Sequence, residues 1–264
     1  MLAVTHQNDV LGYDLMGSGS RRVIVLNDWM CDTSTWDAAR IYLDGECFTW
    51  AFADLRGYGR SRGLSGSFTL VEATADVLAL ADSLNWARFA MVGHSMSALV
   101  ALHLSQHFAN RVERAVLITP PPPRGFGADE ERMEMSRALA RSDRGKRTAA
   151  LRDRFGDRLS KGWATYKASR WLETAEPEAA AAYVSMFARN GLPKPDVKAS
   201  IPVLAITGDH DAPPMQRDAV VRNLTPICDR LEVVSLAESG HYPMQEMPPM
   251  TAALVERFLG ADNV

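Results

Sequence analysis

The sequence is poor in cysteine, and its three cysteines, Cys31, Cys47 and Cys228, lie far apart along 264 residues. Their number is odd, and their spacing is not typical of zinc ligands or of a disulfide framework. A basic segment followed by a long apolar run is also missing near the N-terminus. We therefore expect no secretory leader, no membrane-spanning helix, no contact with a membrane, and a reducing, cytoplasmic location.

A strong excess of one charge is missing as well, since the formal net charge is −3 at pH 7. Nucleic-acid-binding domains usually carry a basic stripe or patch, so the composition argues against nucleic acid as a partner. The charge is uneven, however, because residues 124–198 hold 16 basic and 11 acidic residues. This bias indicates either a distinct basic module or the solvated surface of several helices.

Apolar residues make up 47% of the chain, which is enough for one large domain or for a core with a smaller insertion. Short apolar runs alternate with stretches of helical spacing, and this alternation predicts an α/β fold with a mostly parallel, doubly wound sheet. The predicted strands are 10–15, 23–26, 48–53, 88–92, 114–118, 203–207 and 231–235. The predicted helices of this core are 70–84, 97–108 and 250–259.

The alternation stops at the four prolines of residues 120–123, which can continue neither a helix nor a central strand. From there to residue 202 the pattern is helical only, with candidate helices at 129–140, 146–155, 161–171 and 178–189. We predict a helical insertion at residues 120–199 in a core made of residues 1–119 and 200–264.

One serine lies in a setting that suits nucleophilic catalysis. The predicted strand 88–92 runs through Gly93 and His94 into Ser95, and a helix-compatible segment follows directly. A sharp strand-to-helix turn of this kind exposes a serine hydroxyl and needs small residues two positions before and after it. Gly93 meets this need, whereas Ser97 stands where the G-x-S-x-G pattern has its second glycine.

A serine needs a base and a carboxylate that orients the base. Two later strands are followed by loops that carry these groups. Residues 208–214 contain Asp209 and Asp211, and residues 236–243 contain His241. The order serine, acid, histidine suits a parallel sheet whose strands end at one edge.

These patterns together resemble the α/β-hydrolase superfamily over nearly the whole chain. Residues 54–61 look like the D-x-R-G-x-G-x-S turn of that family, and residues 93–97, 208–211 and 239–248 look like its elbow, acid loop and histidine loop. The resemblance implies a helical cap between the sixth and seventh strands. It also implies a triad of Ser95, Asp211 and His241, with the acid chosen by its spacing of three from Gly208.

The oxyanion hole of such an enzyme needs two backbone N–H groups. The resemblance assigns one to Met96, the residue after the nucleophile, and the other to Trp29 in the loop after the strand 23–26. That loop usually begins with His-Gly, and here it begins with Asn27-Asp28. Because a carboxylate near an oxyanion is unfavourable, we expect Asp28 to face out of the site.

The insertion is rich in side chains that would form an apolar ceiling over Ser95 or the core of the cap itself. These are Phe126, Met133, Met135, Trp163, Tyr166, Trp171, Tyr183, Met186 and Phe187. As pocket residues we select His94, Trp163, Tyr166 and Phe187, and we expect an apolar or aromatic small-molecule substrate. The sequence contains no signal for the oligomeric state.

The leading functional hypothesis is a serine esterase or lactonase that forms an acyl-enzyme and requires neither a metal nor an organic cofactor. A second hypothesis is a cofactor-free, ring-cleaving dioxygenase of the same fold, because residues 29–32 are similar to its Trp-Cys-His-Asp stretch. The histidine of that stretch is missing, and Thr119-Pro120 stands where its acid would follow a strand. Hydrolysis of a carbon–carbon bond and a non-catalytic binding protein are further alternatives.

Overall fold

The computed structural model describes residues 10–261, and its strands form one seven-stranded sheet. The strand order is β1-β3-β2-β4-β5-β6-β7, in which β1 is antiparallel to β3 and all other neighbours are parallel. The strands are β1 (Tyr13–Met16), β2 (Arg21–Leu26), β3 (Phe48–Ala53), β4 (Phe89–His94), β5 (Val112–Ile118), β6 (Ala199–Gly208) and β7 (Cys228–Leu236). The prediction of a mostly parallel α/β sheet is confirmed.

Helices cover both faces of this sheet, as a doubly wound topology requires. In the described part of the chain they are α1 (Asp37–Arg40), α2 (Leu70–Ser83), α3 (Met96–His107), α4 (Glu130–Ala140), α5 (Arg144–Phe155), α6 (Lys161–Thr174), α7 (Pro177–Ser185), α8 (Arg217–Leu224), α9 (Pro243–Glu246) and α10 (Pro248–Gly260). Within residues 10–261 we find no helix that is both long and apolar enough to cross a membrane.

The central strands are buried on both faces, which explains why they read as continuous apolar runs rather than alternating ones. The last four residues of β2 and all residues of β4 are buried. Helix α3 packs between the sheet and its neighbours, and ten of its twelve residues are buried. The helix that follows Ser95 is therefore part of the core, and it holds the serine on a rigid base.

Helices α4 to α7 form the predicted insertion. Counted over the described residues, which contain seven strands, it lies between the fifth and sixth strands rather than between the sixth and seventh. Three of its helices begin at a side-chain cap, which satisfies a free N–H of the first turn. These caps are Asp129 to Arg132 N (2.9 Å), Asp143 to Lys146 N (2.9 Å) and Ser160 to Trp163 N (3.1 Å).

The last helix of the insertion differs from the prediction of one continuous segment at 178–189. Helix α7 ends at Ser185, and a single π-helical turn, Met186–Asn190, follows it. Such turns re-aim side chains, and they are frequent near functional sites. Phe187, in this turn, reaches the cavity described below.

Gly93 lies where β4 and α3 approach each other most closely. A Cβ atom added to Gly93 would lie 2.3 Å from the carbonyl oxygen of Ser97 and 2.9 Å from the Cα of Ala98. Both are backbone atoms, so the neighbours cannot move aside cheaply. The turn that carries Ser95 therefore depends on a glycine at this position.

We expect Gly93→Ala to lower the free energy of unfolding by about 1–3 kcal/mol, because the added methyl group overpacks the turn. Gly63→Ala is the matched control, since a Cβ added to Gly63 meets no atom within 4 Å. Its effect should stay within about 0.5 kcal/mol. Chemical denaturation of both variants checks this, and equal midpoints would contradict the close approach at Gly93.

Candidate active site

Four loops meet at the carboxyl edge of the sheet. Ser95 follows β4, Asp211 follows β6, His241 follows β7, and residues 27–29 follow β2. Because β2, β4, β6 and β7 run parallel, their carboxyl ends lie on one side, at the topological switch point of the sheet. The strand order thus brings together residues that are up to 214 positions apart.

Ser95 occupies the sharp turn that the sequence predicts. Its backbone has φ 52° and ψ −118°, which is strained for a residue with a side chain. The strain is held by packing and by the Ser95 N–H, which donates to the carbonyl of Ile118 at 2.8 Å. Helix α3 begins at the next residue, Met96, so that its first N–H groups point back towards the serine.

The structure brings Ser95, His241 and Asp211 into one hydrogen-bonded chain. His241 Nε2 lies 2.9 Å from Ser95 Oγ, and His241 Nδ1 lies 2.7 Å from Asp211 Oδ2. All three residues are buried. This is the arrangement in which a base can take a proton from the serine while a carboxylate orients the imidazole.

The backbone of His241 is fixed from below by two buried side chains. His94 donates from Nε2 to the carbonyl oxygen of His241 at 2.7 Å, and Thr119 Oγ1 donates to the same oxygen at 3.3 Å. His94 is fully buried, and burial lowers its pKa to about 3. His94 is therefore neutral, and it supports the histidine loop beneath the pocket.

Asp211 has donors on both carboxylate oxygens. Ala212 N donates to Oδ1 at 2.7 Å, and Arg154 Nη2 lies 3.4 Å from the same oxygen. Burial alone would raise the pKa of Asp211, but the charge of His241 and these donors outweigh it, so the pKa lies below its usual value. The carboxylate stays ionised beside the imidazole.

The prediction that Asp28 faces out of the site is wrong. Asp28 lines the cavity above Ser95 and is buried. Its Oδ1 accepts from Trp29 N at 2.6 Å, its Oδ2 accepts from the Tyr242 hydroxyl at 3.1 Å, and Oδ2 lies 3.4 Å from His241 Nε2. The physical reason is that these donors all lie inside, where a buried carboxylate needs them.

His241 consequently has a carboxylate on each side of its ring. Burial would lower its pKa, but the charge of Asp211 and the hydrogen bonds with Asp211 and Asp28 raise the pKa above its usual value, against the opposing charge of Arg154. For Asp28, burial would raise the pKa, and His241 overcomes this and keeps it lowered. Both carboxylates therefore stabilise the protonated form of the His241 imidazole.

Ser97 has a role that its small size does not suggest. Its hydroxyl donates to the carbonyl oxygen of Asn27, although the two residues are 70 positions apart. This bond joins the elbow helix to the loop that carries Asp28 and Trp29. The two departures from the family pattern are thus in contact.

The motif of residues 54–61 supports the site from a distance. Buried Asp54 accepts from Thr33 N at 2.8 Å and from Arg60 N at 3.0 Å, and burial raises its pKa to about 6. Gly59 has φ 47°, and a Cβ there would collide with the Asp54 carboxylate. The turn therefore fastens the loops after β2 and β3 to each other, and it does not reach Ser95.

A cavity of about 70 Å³ lies above the serine. Its apolar wall is formed by Trp29, Phe126, Phe187 and Met215, and its polar wall is formed by Asp28, Ser95, Arg154 and His241. Of the four predicted pocket residues, this lining includes Phe187. Phe126 belongs to the set of candidate ceiling residues, whereas Arg154 and Met215 have no signal in the sequence beyond their positions in the insertion and after the acid loop.

The other three predicted pocket residues have different positions. His94 lies beneath the site, as described above. Trp163 donates to Gln245 Oε1 at 3.1 Å and packs edge-on against Phe155, so it joins the cap to α9. Tyr166 is half exposed on α6. Their selection as lining of the cavity above Ser95 is therefore wrong, because helix spacing alone does not tell which face of the cap points down.

Residues 29–32, which are similar to a stretch of the ring-cleaving dioxygenases, contact the helical insertion that covers the site (α4 to α7, the cap). Asp32 forms an ion pair with Arg170 at 2.6 Å, and Cys31 Sγ accepts from the indole of Trp171 at 3.4 Å. Trp29 donates from Nε1 to the carbonyl of Ala180 at 2.7 Å. Side chains of this stretch thus contact both α6 and α7.

One group of side chains in the described part of the chain lies close enough together to bind a metal ion. It consists of Asp28, His94 and His241, whose possible ligand atoms all lie within 4.8 Å of one another. Both ring nitrogens of His241 already have partners in the chain from Ser95 to Asp211. A metal on His241 would therefore have to displace Ser95 or Asp211 from the ring.

The model of the alpha/beta hydrolase family matches residues 23–254, nearly the whole chain. The chain belongs to the alpha/beta hydrolase family. Non-heme haloperoxidase of Rhodococcus erythropolis is 31% identical over 112 residues, 42% of this chain and 40% of that protein. 3-Oxoadipate enol-lactonase 2 of Acinetobacter baylyi is 26% identical over 115 residues, 43% of each chain. The matches therefore span about two fifths of these relatives.

The fold is similar to solved members over the full length. The enol-lactonase of Burkholderia xenovorans LB400 superimposes with a TM-score of 0.81 and 25% identity, and the match covers 95% of this chain and 96% of that one. An α/β-hydrolase enzyme is thus the assignment that both sequence and fold support.

Arg154 is the one charged cap residue in the cavity lining, and its charge lowers the pKa of His241. We expect Arg154→Gln to move the acid limb of serine reactivity to higher pH, because a base with a higher pKa stays protonated longer as pH rises. The measurement is the rate of fluorophosphonate labelling as a function of pH. Arg152→Gln, an exposed change on the same helix, is the control, and an equal midpoint in both variants would contradict the assignment.

Proposed function

We propose that this α/β-hydrolase cleaves a carboxylic ester or a lactone through an acyl-enzyme intermediate. Ser95 acts as nucleophile, His241 as general base and acid, and Asp211 as the group that orients the imidazole. The observation that carries this proposal is the hydrogen-bonded chain from Ser95 Oγ through His241 to Asp211, at 2.9 Å and 2.7 Å.

The reaction follows from the positions of these atoms. Neutral His241 accepts the proton of Ser95 as Oγ attacks the substrate carbonyl, and the carbonyl oxygen becomes an oxyanion. The oxyanion collapses, the carbon–oxygen bond to the leaving group breaks, and His241 Nε2 protonates the departing alkoxide. Water then attacks the acyl-enzyme with His241 again as base, and Ser95 is released with its proton.

Backbone N–H groups of Met96 and Trp29 are the proposed oxyanion donors. Met96 begins α3, so its N–H belongs to the first turn of the helix, where N–H groups have no acceptor within the helix. Trp29 lines the cavity above Ser95, and its N–H donates to Asp28 Oδ1 at 2.6 Å. Oxyanion stabilisation by Trp29 therefore requires that this bond be exchanged.

The relatives support an ester or a lactone as the substrate class. One curated relative and one solved structure of the same fold carry the name enol-lactonase, and each aligns with this chain over the segment given above. The chemistry of the proposed triad suits both open-chain esters and lactones, because both present a carbonyl and an alkoxide leaving group. The mechanism needs no metal or organic cofactor.

We expect Ser95→Ala to abolish fluorophosphonate labelling and to lower kcat for p-nitrophenyl esters by at least about 10⁴-fold, since the nucleophile is lost. Ser105→Ala is a matched control, because Ser105 is a buried serine of the same helix α3 whose hydroxyl donates to the carbonyl oxygen of Ala101. Labelling of Ser95→Ala at the wild-type rate would refute the proposed nucleophile.

The cavity size leads to a second prediction. The cavity above Ser95 is small and is lined by bulky side chains, so p-nitrophenyl acetate and butyrate should exceed the decanoate in kcat/KM. Phe187 closes one side and packs against Trp29 with ring centroids 5.5 Å apart. Phe187→Ala should raise kcat/KM for the decanoate relative to the acetate, and an unchanged ratio would show that Phe187 does not limit the acyl group.

A further inference from the structure

Asp28 is a buried carboxylate in the place where a serine hydrolase of this fold stabilises negative charge. It lines the same cavity as Ser95, and its Oδ2 lies 3.4 Å from His241 Nε2. An oxyanion formed on the substrate would develop beside this carboxylate. With an unsubstituted acyl group, the two negative charges repel each other in a buried site, where water screens them little.

The Asp28 carboxylate also accepts the hydrogen bond of one of the two proposed oxyanion donors. Trp29 N–H is committed to Asp28 Oδ1 at 2.6 Å, whereas the loop backbone itself is held in place through Asn27, whose carbonyl accepts from Ser97. The donor is therefore positioned for an oxyanion but not available to it. A rotation of the Asp28 side chain, without a movement of the backbone, would release it.

Such a rotation is unfavourable unless Oδ1 gains another donor, because a buried carboxylate oxygen without a hydrogen bond is costly. The Tyr242 hydroxyl donates to Oδ2, at 3.1 Å, and not to Oδ1. One new O–H or N–H from the substrate would then replace the one N–H that Oδ1 gives up. The exchange leaves the carboxylate with as many donors as before, and Trp29 N–H becomes free for the oxyanion.

We propose that Asp28 is a specificity-determining residue that selects esters or lactones bearing a hydroxyl or N–H donor next to the scissile carbonyl. The substrate's donor binds Asp28 Oδ1 and thereby completes the oxyanion hole with Trp29. With an acyl group that lacks such a donor, Trp29 N–H stays bound to Asp28, and only Met96 N–H is free for the oxyanion. This inference rests on the proposed function, because it takes Ser95 as the nucleophile.

The test compares two esters that differ in one hydroxyl group, p-nitrophenyl butyrate and p-nitrophenyl 2-hydroxybutyrate. We expect the wild type to prefer the hydroxy ester at least tenfold in kcat/KM. In Asp28→Gly, which removes the side-chain acceptor of Trp29 N–H, the ratio should fall to within threefold, chiefly because kcat for the butyrate rises. Asp28→Asn removes the charge but keeps an oxygen that accepts from Trp29 N–H, so its ratio should stay closer to that of the wild type. Asp37→Asn makes the same isosteric change at an exposed carboxylate of α1 and should keep the wild-type ratio.

The pH profile is a second readout that a purely structural role would not move. Asp28 raises the pKa of His241, so the acid limb of kcat/KM should shift to lower pH in both Asp28 variants. The other charged groups that act on His241, Asp211 and Arg154, are unchanged in these variants. An unshifted acid limb together with an unchanged ester ratio would overturn the proposal.

Tyr242→Phe keeps the inference testable if the Asp28 variants do not fold. This variant removes a donor to Oδ2 but retains the carboxylate, so the tenfold preference for the hydroxy ester should persist. Loss of that preference with Asp28 intact would overturn the proposal. Equal turnover of both esters by the wild type would do the same, as would Asp28 variants that are slower on both esters to the same extent.

The failures of the two proposals are distinguishable. Turnover of both esters by Ser95→Ala would refute the acyl-enzyme mechanism itself. Turnover that depends on Ser95 but ignores the hydroxyl group would leave that mechanism intact and would refute only the role of Asp28.

Discussion

The placement of two carboxylates around one buried imidazole is the constraint from which the rest of the site follows. A buried charge is tolerated only where it has a partner and hydrogen-bond donors. Asp211 receives the N–H of Ala212 and the side chain of Arg154, and Asp28 receives the N–H of Trp29 and the hydroxyl of Tyr242. The loops after β2, β6 and β7 therefore each contribute a donor to a carboxylate, and the fourth donor, Arg154, comes from helix α5 of the insertion.

The elbow and the loop opposite it form one unit. Gly93 permits the close approach of β4 and α3, and Ser97 uses the same turn to hold the carbonyl of Asn27. Ser97, in place of the second glycine of the pattern, is slightly larger than glycine but forms a hydrogen bond across the site. This bond holds the backbone of Asn27, at the start of the loop that carries Asp28 and Trp29.

The cap gives the cavity its size and its mixed character. Phe126, Arg154 and Phe187 come from three separate parts of the insertion and meet over Ser95. The cap is fastened to the loop after β2 through the ion pair of Asp32 with Arg170 and the indole hydrogen bond of Trp29 to Ala180. The loop that contains Asp28 is therefore also the loop that binds the cap, so a movement of the cap would displace this loop.

The sequence by itself determined the alternation of strands and helices, the helical insertion and the order of Ser95, Asp211 and His241. These follow from local periodicity and from a general property of parallel sheets, whose strands end at one edge. Only the tertiary structure decided the direction of Asp28, because its donor Tyr242 is 214 residues away and no local pattern encodes that contact. The same holds for Arg154 in the cavity lining and for Tyr166 on the cap surface. The positions of these two side chains depend on the orientation of the cap helices relative to the core, and long-range packing determines that orientation.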